Sequence, residues 1–180
     1  MKYLIVVDMQ KDFVDGALGS PEAQAIVPKV AAKVKQYAEI EDAIVVYTRD
    51  THQKDYMATN EGKHLPVPHC IYDTEGWDIV PEVISDAAAM TILDKKTFGK
   101  YDIAFDLLDL ANEVFGGYNI ESIEIVGLCT DICVISNALI LKANFPEIPI
   151  TVDSSCCAGV TPAKHEAALE VMRSCQIDVI

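Results

Sequence analysis

The chain has 180 residues, of which 51% are hydrophobic; this excludes a disordered chain and allows one domain with a substantial core. Its formal charge of −14 at pH 7 argues against binding to nucleic acid, because nucleic-acid-binding proteins carry basic patches. No apolar run is long enough to span a bilayer, and the apolar start at residues 3–7 is too short for a signal peptide. We therefore expect a cytosolic protein that binds neither nucleic acid nor membrane.

Strands and helices are predicted in alternation along the chain. Apolar runs without alternation predict strands at residues 3–7, 43–47, 90–93, 123–126 and 148–152, with a short final strand at 176–180. Amphipathic patterns predict helices at residues 21–38, 103–115, 132–143 and 163–173. Thr161 is the predicted N-cap of the last helix, and Pro162 lies in its first turn. The pattern predicts an α/β fold with one domain over residues 1–180, built on a doubly wound, mostly parallel sheet with helices on both faces.

The six cysteines do not predict a disulfide framework, because the chain is long, rich in core residues and lacks a secretory signal. Cys156 and Cys157 are adjacent, which suits buried packing. Cys129 and Cys133 are four residues apart, but no further Cys or His follows nearby to complete a zinc site.

Four chemically useful side chains follow the predicted strands at their carboxyl ends. They are Asp8, Asp50, Lys95 and Cys133. In open parallel sheets, ligands bind outside this edge, so we expect the four side chains to lie close together. The segment 51–81 lacks regular periodicity and is long for a connection, which is typical of functional loops.

Cys133 is the candidate nucleophile. It lies at the start of a predicted helix, where unpaired backbone N–H groups and the helix dipole favour a thiolate. Asp8 is a candidate general base toward this thiol, and the ammonium of Lys95 is expected to lower the pKa of Cys133.

The segment after the second strand contains a candidate metal site. Asp50 and His52 share a strand end, and Glu61 and His69 follow in the long loop. Two histidines with two carboxylates suit Zn²⁺, Mn²⁺ or Fe²⁺. His64 is a rival to Glu61 as the fourth ligand.

Several motifs together resemble the isochorismatase-like cysteine hydrolases, and among them the nicotinamidases (pyrazinamidases). The resemblance covers essentially the whole chain. It is carried by Lys95 with Phe98 and Gly99, and by four runs: VVDMQKDF at 6–13, TRDTH at 48–52, PVPHC at 66–70 and GLCTDICV at 127–134.

The resemblance implies roles for residues at the matching positions. Asp8, Lys95 and Cys133 correspond to the catalytic triad of the family. The oxyanion hole corresponds to the backbone N–H groups of Cys133 and Cys129, with a cis peptide bond between Leu128 and Cys129.

The resemblance also implies a substrate site beside a divalent metal ion. Asp50, His52 and His69 match the family ligands, and Glu61 fits the variable fourth position. The residues that correspond to the aromatic side chains flanking the substrate ring are Phe13 and Phe98, with Trp77 as a weaker candidate.

The function implied is hydrolysis of a small-molecule amide, nicotinamide or pyrazinamide, through a cysteine thioester. We also expect a homo-oligomer. The main alternative is a metal-free amidase of the same superfamily that acts on another amide or ureido compound. Isochorismate hydrolysis is disfavoured because its vinyl-ether chemistry needs no thioester. A phosphoacceptor signalling domain would explain strand-end Asp and Lys residues but would give no role to Cys133.

Overall fold

The fold is seen in a computed structural model, which describes residues 1–84 and 90–180. Its six strands form one sheet in the order β3-β2-β1-β4-β5-β6, and each neighbouring pair is parallel. The strands are β1 (Lys2–Val7), β2 (Ala43–Asp50), β3 (Met90–Lys95), β4 (Ser122–Leu128), β5 (Ile150–Ala158) and β6 (Asp178–Val179).

Among the described residues, six α-helices connect the strands: α1 (Lys11–Val14), α2 (Pro21–Ala38), α3 (Asn60–His64), α4 (Ile103–Phe115), α5 (Ile135–Asn144) and α6 (Pro162–Ser174). Three 3₁₀ turns and one π-helical turn complete the list: Tyr56–Ala58, Glu75–Trp77, Pro81–Val83 and Thr130–Val134. The hydroxyl of Thr161 caps α6, as predicted. Within the described parts of the chain, no helix combines the length and apolarity needed to cross a bilayer.

Both faces of the sheet are covered by apolar side chains. On one face, α2 contributes Ile26, Val30 and Val34 to a buried cluster. On the other face, a second cluster takes its helical residues from α4, α5 and α6, such as Leu107, Leu141 and Leu169. The predicted doubly wound α/β fold is therefore confirmed.

Several predicted boundaries differ from the structure, among them the end of β5 and the start of α5. Strand β5 continues to Ala158 instead of ending at residue 152. It passes through the charged Asp153 because the Nζ atom of Lys33 lies 2.9 Å from Oδ2 of that residue and the hydroxyl of Ser155 donates to its Oδ1. The predicted helix at 132–143 is an α-helix only from Ile135, after the π-helical turn.

The strand order reverses at β1, because the chain adds β2 and β3 on one side and β4 to β6 on the other. In such sheets the crevice for ligands opens at the carboxyl ends of the two strands that flank this switch point. Gly127 allows these strands to approach closely, since a Cβ atom there would lie 2.1 Å from the carbonyl oxygen of Val7, and its φ of 118° is unfavourable for other residues. The fold therefore brings the ends of β1 and β4 together.

Candidate active site

The three predicted catalytic side chains meet at this crevice. Asp8 follows β1, Lys95 ends β3, and Cys133 lies in the π-helical turn after β4. Nζ of Lys95 is 2.6 Å from Oδ2 of Asp8 and 3.6 Å from Sγ of Cys133. The hydroxyl of Thr48 donates to the other oxygen of Asp8 at 2.7 Å. Lys95 thus lies within reach of both the carboxylate and the thiol, and all three side chains are buried.

Burial sets the protonation states of this group. It raises the pKa of Cys133 well above its ordinary value, the charge of Asp8 raises it further, and Lys95 only partly opposes them. Burial lowers the pKa of Lys95, but the charges of Asp8 and Asp50 and the hydrogen bond to Asp8 outweigh that effect and raise it, so the lysine stays charged. The prediction that the helix start holds Cys133 as a thiolate is wrong for the resting protein. Instead, a neutral thiol lies beside a proton acceptor.

The backbone around Cys133 is held by several hydrogen bonds. The peptide bond between Leu128 and Cys129 is cis, as the family resemblance implied. The carbonyl oxygen of Cys129 accepts from the N–H groups of Ile132 and Val134. The buried amide of Asn137 donates to the carbonyl oxygen of Cys133 at 2.8 Å. These bonds fix the turn that carries the thiol.

The four predicted metal ligands form a compact cluster. The candidate ligand atoms of Asp50, His52, Glu61 and His69 all lie within 4.8 Å of one another. Nε2 of His52 is 3.0 Å from Oδ2 of Asp50 and 3.5 Å from Oε1 of Glu61. Nε2 of His69 is 3.7 Å and 3.8 Å from the same two atoms. Two imidazoles and two carboxylates thus face a common point.

The donor set fits a divalent transition metal. Such an ion binds imidazole nitrogen and carboxylate oxygen at about 2.0–2.2 Å, so donors that surround it lie at most about 4.4 Å apart, a few tenths of an ångström less than here. Burial lowers the pKa of His52, but Asp50 and Glu61 raise it to about 9. The two carboxylates therefore favour a positive charge between them. Either a metal cation or a protonated imidazole can supply that charge.

Neighbouring groups orient the two histidines for metal binding. Nδ1 of His69 lies 2.8 Å from the carbonyl oxygen of Val67, so Nδ1 carries the proton and Nε2 keeps a free lone pair. The ring of Tyr56 packs against both imidazoles, with centroids 4.7 Å from His52 and 5.1 Å from His69. Sequence reasoning missed Tyr56, since nothing marks a tyrosine in an irregular loop as a partner of distant histidines.

The rival ligand His64 does not join the cluster. It ends α3, its side chain is exposed, and its Nδ1 contacts the carbonyl oxygen of Asn60. Glu61 occupies the first turn of the same short helix and points to the two imidazoles.

A cavity of about 380 Å³ joins the nucleophile to the metal cluster. Its polar lining comes from Cys129 and Cys133 and from three residues of the metal cluster, Asp50, Glu61 and His69. Its walls are largely apolar, and they include both predicted ring-binding residues, Phe13 and Phe98, with Leu18, Leu65, Leu128, Ile132 and Val160. An apolar cavity with a few convergent polar groups suits a small, flat ligand with polar atoms at two ends.

Trp77 is not brought to this cavity. The guanidinium of Arg49 lies 3.3 Å from its ring centroid, and its indole N–H donates to the hydroxyl of Thr51 at 2.9 Å. Its ring also contacts Tyr72. These contacts explain the position of the Trp77 indole without any contact to a substrate.

Sequence reasoning also missed Gln10, which holds the backbone of the candidate metal ligand Asp50. Its side-chain amide is fully buried, accepts the backbone N–H of Asp50 at 2.7 Å and donates to the carbonyl oxygen of Asp50 at 2.8 Å. The sequence did contain a signal for Gln10, since it is a polar residue two positions after the strand-end carboxylate of Asp8.

Comparisons with known proteins agree with the geometry. The isochorismatase domain matches residues 2–180. The nicotinamidase/pyrazinamidase of Mycobacterium tuberculosis is 26% identical, over 100% of this chain and 98% of that protein. The pyrazinamidase of Pyrococcus horikoshii, solved in complex with zinc, is 30% identical with a TM-score of 0.79, over 99% of this chain and 98% of that one. The nicotinamidase/pyrazinamidase of Bacillus subtilis is 26% identical with a TM-score of 0.83, over the same shares of the two chains.

The family match covers nearly every residue, and the similar structures share the parallel sheet along almost their full length. The resemblance drawn from the sequence motifs is confirmed. This chain belongs to the isochorismatase domain family.

Proposed function

We propose that the protein hydrolyses nicotinamide and pyrazinamide to the corresponding carboxylic acids and ammonia. One observation carries this proposal: a buried thiol with an adjacent carboxylate and ammonium shares a single cavity with three of the four candidate metal-ligand side chains, Asp50, Glu61 and His69. The thiol group suits attack on a carboxamide, and the ligand cluster suits recognition of a ring nitrogen. Two of the similar proteins named above carry both activities in their names, and the third carries the pyrazinamidase activity.

In the first half of the reaction, Asp8 accepts the proton of Sγ as the sulfur attacks the carboxamide carbon. The ammonium of Lys95, 3.6 Å from Sγ, stabilises the negative charge that forms on sulfur. The backbone N–H groups of Cys129 and Cys133 hold the oxyanion of the tetrahedral intermediate. Asp8 then returns its proton to the leaving nitrogen, and ammonia departs from the thioester.

In the second half, water replaces ammonia beside Asp8. The carboxylate accepts a proton from this water as its oxygen attacks the thioester carbon. The carbon–sulfur bond breaks, the proton passes to Sγ, and the carboxylic acid leaves. Cys133 and Asp8 return to their starting protonation states, so one water is consumed for each amide.

The metal cluster, three of whose residues line the same cavity as Cys133, would select the substrate. Asp50, His52, Glu61 and His69 would hold the divalent ion, and when bound it supplies a Lewis acid for the ring nitrogen of a pyridine or pyrazine carboxamide. Phe13 and Phe98 line the same cavity and would contact the faces or edges of the ring. Zn²⁺, Mn²⁺ and Fe²⁺ all suit this donor set.

The test is a panel assay of ammonia release by the purified protein loaded with metal. Nicotinamide and pyrazinamide should be hydrolysed, while benzamide, which has the same shape without a ring nitrogen, should be at least about tenfold slower, the cost of one lost polar contact. The Cys133→Ala variant serves as the blank. Equal rates with benzamide would remove the role of the metal cluster in selection. Turnover of an N-carbamoyl amino acid alone would favour the metal-free amidase.

The cytosolic location and homo-oligomeric assembly expected from the sequence stay predictions. Cell fractionation tests the first, and sedimentation velocity of the purified protein tests the second.

A further inference from the structure

The carboxylate of Asp12 links two separate segments beside the metal cluster. It lies on α1, one residue before Phe13. Its Oδ2 accepts the backbone N–H of Cys70 at 2.8 Å, and its Oδ1 accepts that of Ala17 at 3.2 Å. No reaction step described above uses this side chain.

The residue that Asp12 holds, Cys70, connects both histidine ligands. Cys70 directly follows His69, and its φ of 46° makes a sharp turn there. The carbonyl oxygen of Cys70 accepts the backbone N–H of His52 at 2.9 Å. The N–H of Cys70 is therefore tied to α1, while its C=O is tied to the segment that carries the other imidazole.

Gly76 gives an independent sign that the Asp12 carboxylate occupies a fixed place. A Cβ atom on Gly76 would lie 2.1 Å from Oδ2 and 2.3 Å from Cγ of Asp12. The φ of Gly76 is not in the left-handed region, so the backbone itself would accept alanine. The close approach of the carboxylate is what excludes a side chain at position 76.

We propose that Asp12 is a positioning residue for the metal site, acting on His69 through the N–H of Cys70. The proposal rests on the metal cluster of the proposed function. The imidazole of His69 is held at Nδ1 by Val67, so the place of its Nε2 is set by the backbone of residues 67–70. Without the carboxylate, the N–H of Cys70 loses its acceptor and this backbone is no longer fixed against α1.

The test measures zinc affinity of the metal-free protein by competition with a chromophoric chelator. Asp12→Ala should raise the Kd for zinc by about tenfold or more, the effect typical of lost outer partners of a metal ligand. Gly76→Ala should raise it similarly, because its methyl group displaces the carboxylate. In the double variant, Gly76→Ala should add nothing to Asp12→Ala, since the group it would displace is gone.

Two controls separate positioning from general stability. Tyr3→Phe removes a buried hydrogen bond to the carbonyl oxygen of Leu107, far from the cluster, and should lower the melting temperature without changing the Kd for zinc. Alkylation of Cys133 by iodoacetamide in the metal-free protein should proceed at the wild-type rate in Asp12→Ala, because the thiol group does not depend on His69.

Each result decides the question. A Kd for zinc within twofold of wild type in both single variants overturns the positioning role of Asp12. Additive effects in the double variant overturn the claim that Gly76→Ala acts by displacing the Asp12 carboxylate. If Asp12→Ala does not fold, Gly76→Ala alone carries the comparison. A wild-type protein that binds no zinc, manganese or iron overturns the metal cluster itself, an outcome distinct from loss of the positioning role alone.

Discussion

The Nζ atom of Lys95 lies 2.6 Å from Oδ2 of Asp8, and both side chains are almost fully excluded from solvent. Removing two charges from water is costly, and their attraction offsets this cost only when the geometry is good and other hydrogen bonds complete it. Thr48 supplies one such bond to Asp8. The charge of Lys95 therefore opposes the effect of burial on Asp8, although burial still raises the pKa of Asp8 above its ordinary value.

Replacing Lys95 should weaken the nucleophile. Lys95→Met removes a positive charge that lowers the pKa of Cys133, so this pKa should rise further. An opposite charge at this distance shifts a pKa by at least about one unit, so iodoacetamide alkylation at neutral pH should slow by about tenfold or more. Lys96→Met, on the exposed neighbour, is the control. If alkylation of Lys95→Met depends on pH as it does in the wild type, Lys95 does not lower the pKa of Cys133.

Cys133→Ala should abolish ammonia release, by roughly a thousandfold or more, because alanine cannot form the thioester. The melting temperature should change little, since alanine fits the same site. Cys156→Ala is the matched control, as this thiol is also buried but lies outside the cavity. Steady-state ammonia assays of both variants compare them; residual turnover in Cys133→Ala would contradict the thioester mechanism.

Glu61→Gln should lower metal content, whereas His64→Gln should not. The carboxylate of Glu61 faces both imidazoles, but His64 is exposed and bonded to its own helix. Metal analysis of dialysed protein measures occupancy, and KM for nicotinamide should rise only in the Glu61 variant. The opposite pattern would assign the fourth ligand to His64.

Phe98→Ala should raise KM for nicotinamide roughly three- to tenfold through lost contact with the ring, the range expected for an aromatic pair. Trp77→Phe should leave KM unchanged, because Trp77 is held by Arg49 and Thr51 outside the cavity. Initial-rate kinetics on both variants test this. A rise in KM for Trp77→Phe would return that residue to the substrate site.

Acid should destabilise the fold partly through Asp153. Burial raises the pKa of Asp153, but bonds from Lys33 and Ser155 outweigh it and lower the pKa. A lowered folded pKa stabilises the protein above the unfolded pKa of about 3.9, and this contribution is lost as pH falls through the folded pKa. Asp153→Asn should be less stable at pH 7 and should show a shallower loss of unfolding free energy below about pH 5.

Urea unfolding at several pH values provides the measurement for Asp153. Glu147→Gln, which changes an exposed carboxylate, should follow the wild-type curve. Parallel curves for wild type and Asp153→Asn would show that the Lys33 bridge contributes no pH dependence.

The close approach of the three proposed catalytic side chains could be predicted because parallel strands place their carboxyl ends on one edge of the sheet. Asp8 and Lys95 needed only correct strand boundaries to be placed there, and apolar runs mark those boundaries well. Cys133 needed the next turn as well, and its surroundings were misjudged: the sequence shows a helix start but not the depth of burial, which reverses the expected effect on its pKa.

The short elements could not be predicted. Helices α1 and α3 have four and five residues, too few for a helical period to show. They nevertheless deliver Asp12, Phe13 and Glu61 to the site. The extension of β5 was missed because Asp153 and Ser155 interrupt the apolar run, and only tertiary contact with Lys33 makes that polar stretch compatible with a strand.

The position of β1 at the centre of the sheet has a consequence for biosynthesis. It is the first strand to be synthesised, yet one of its two partners, β4, comes after β2 and β3. The nascent amino-terminal half holds Asp8 and the four candidate metal ligands, while the proposed nucleophile belongs to the later half. Closing so long a loop is a slow, high-contact-order step. The thiol meets its proton acceptor only when β4 docks, so catalytic competence is acquired late in folding and not during synthesis of the first half.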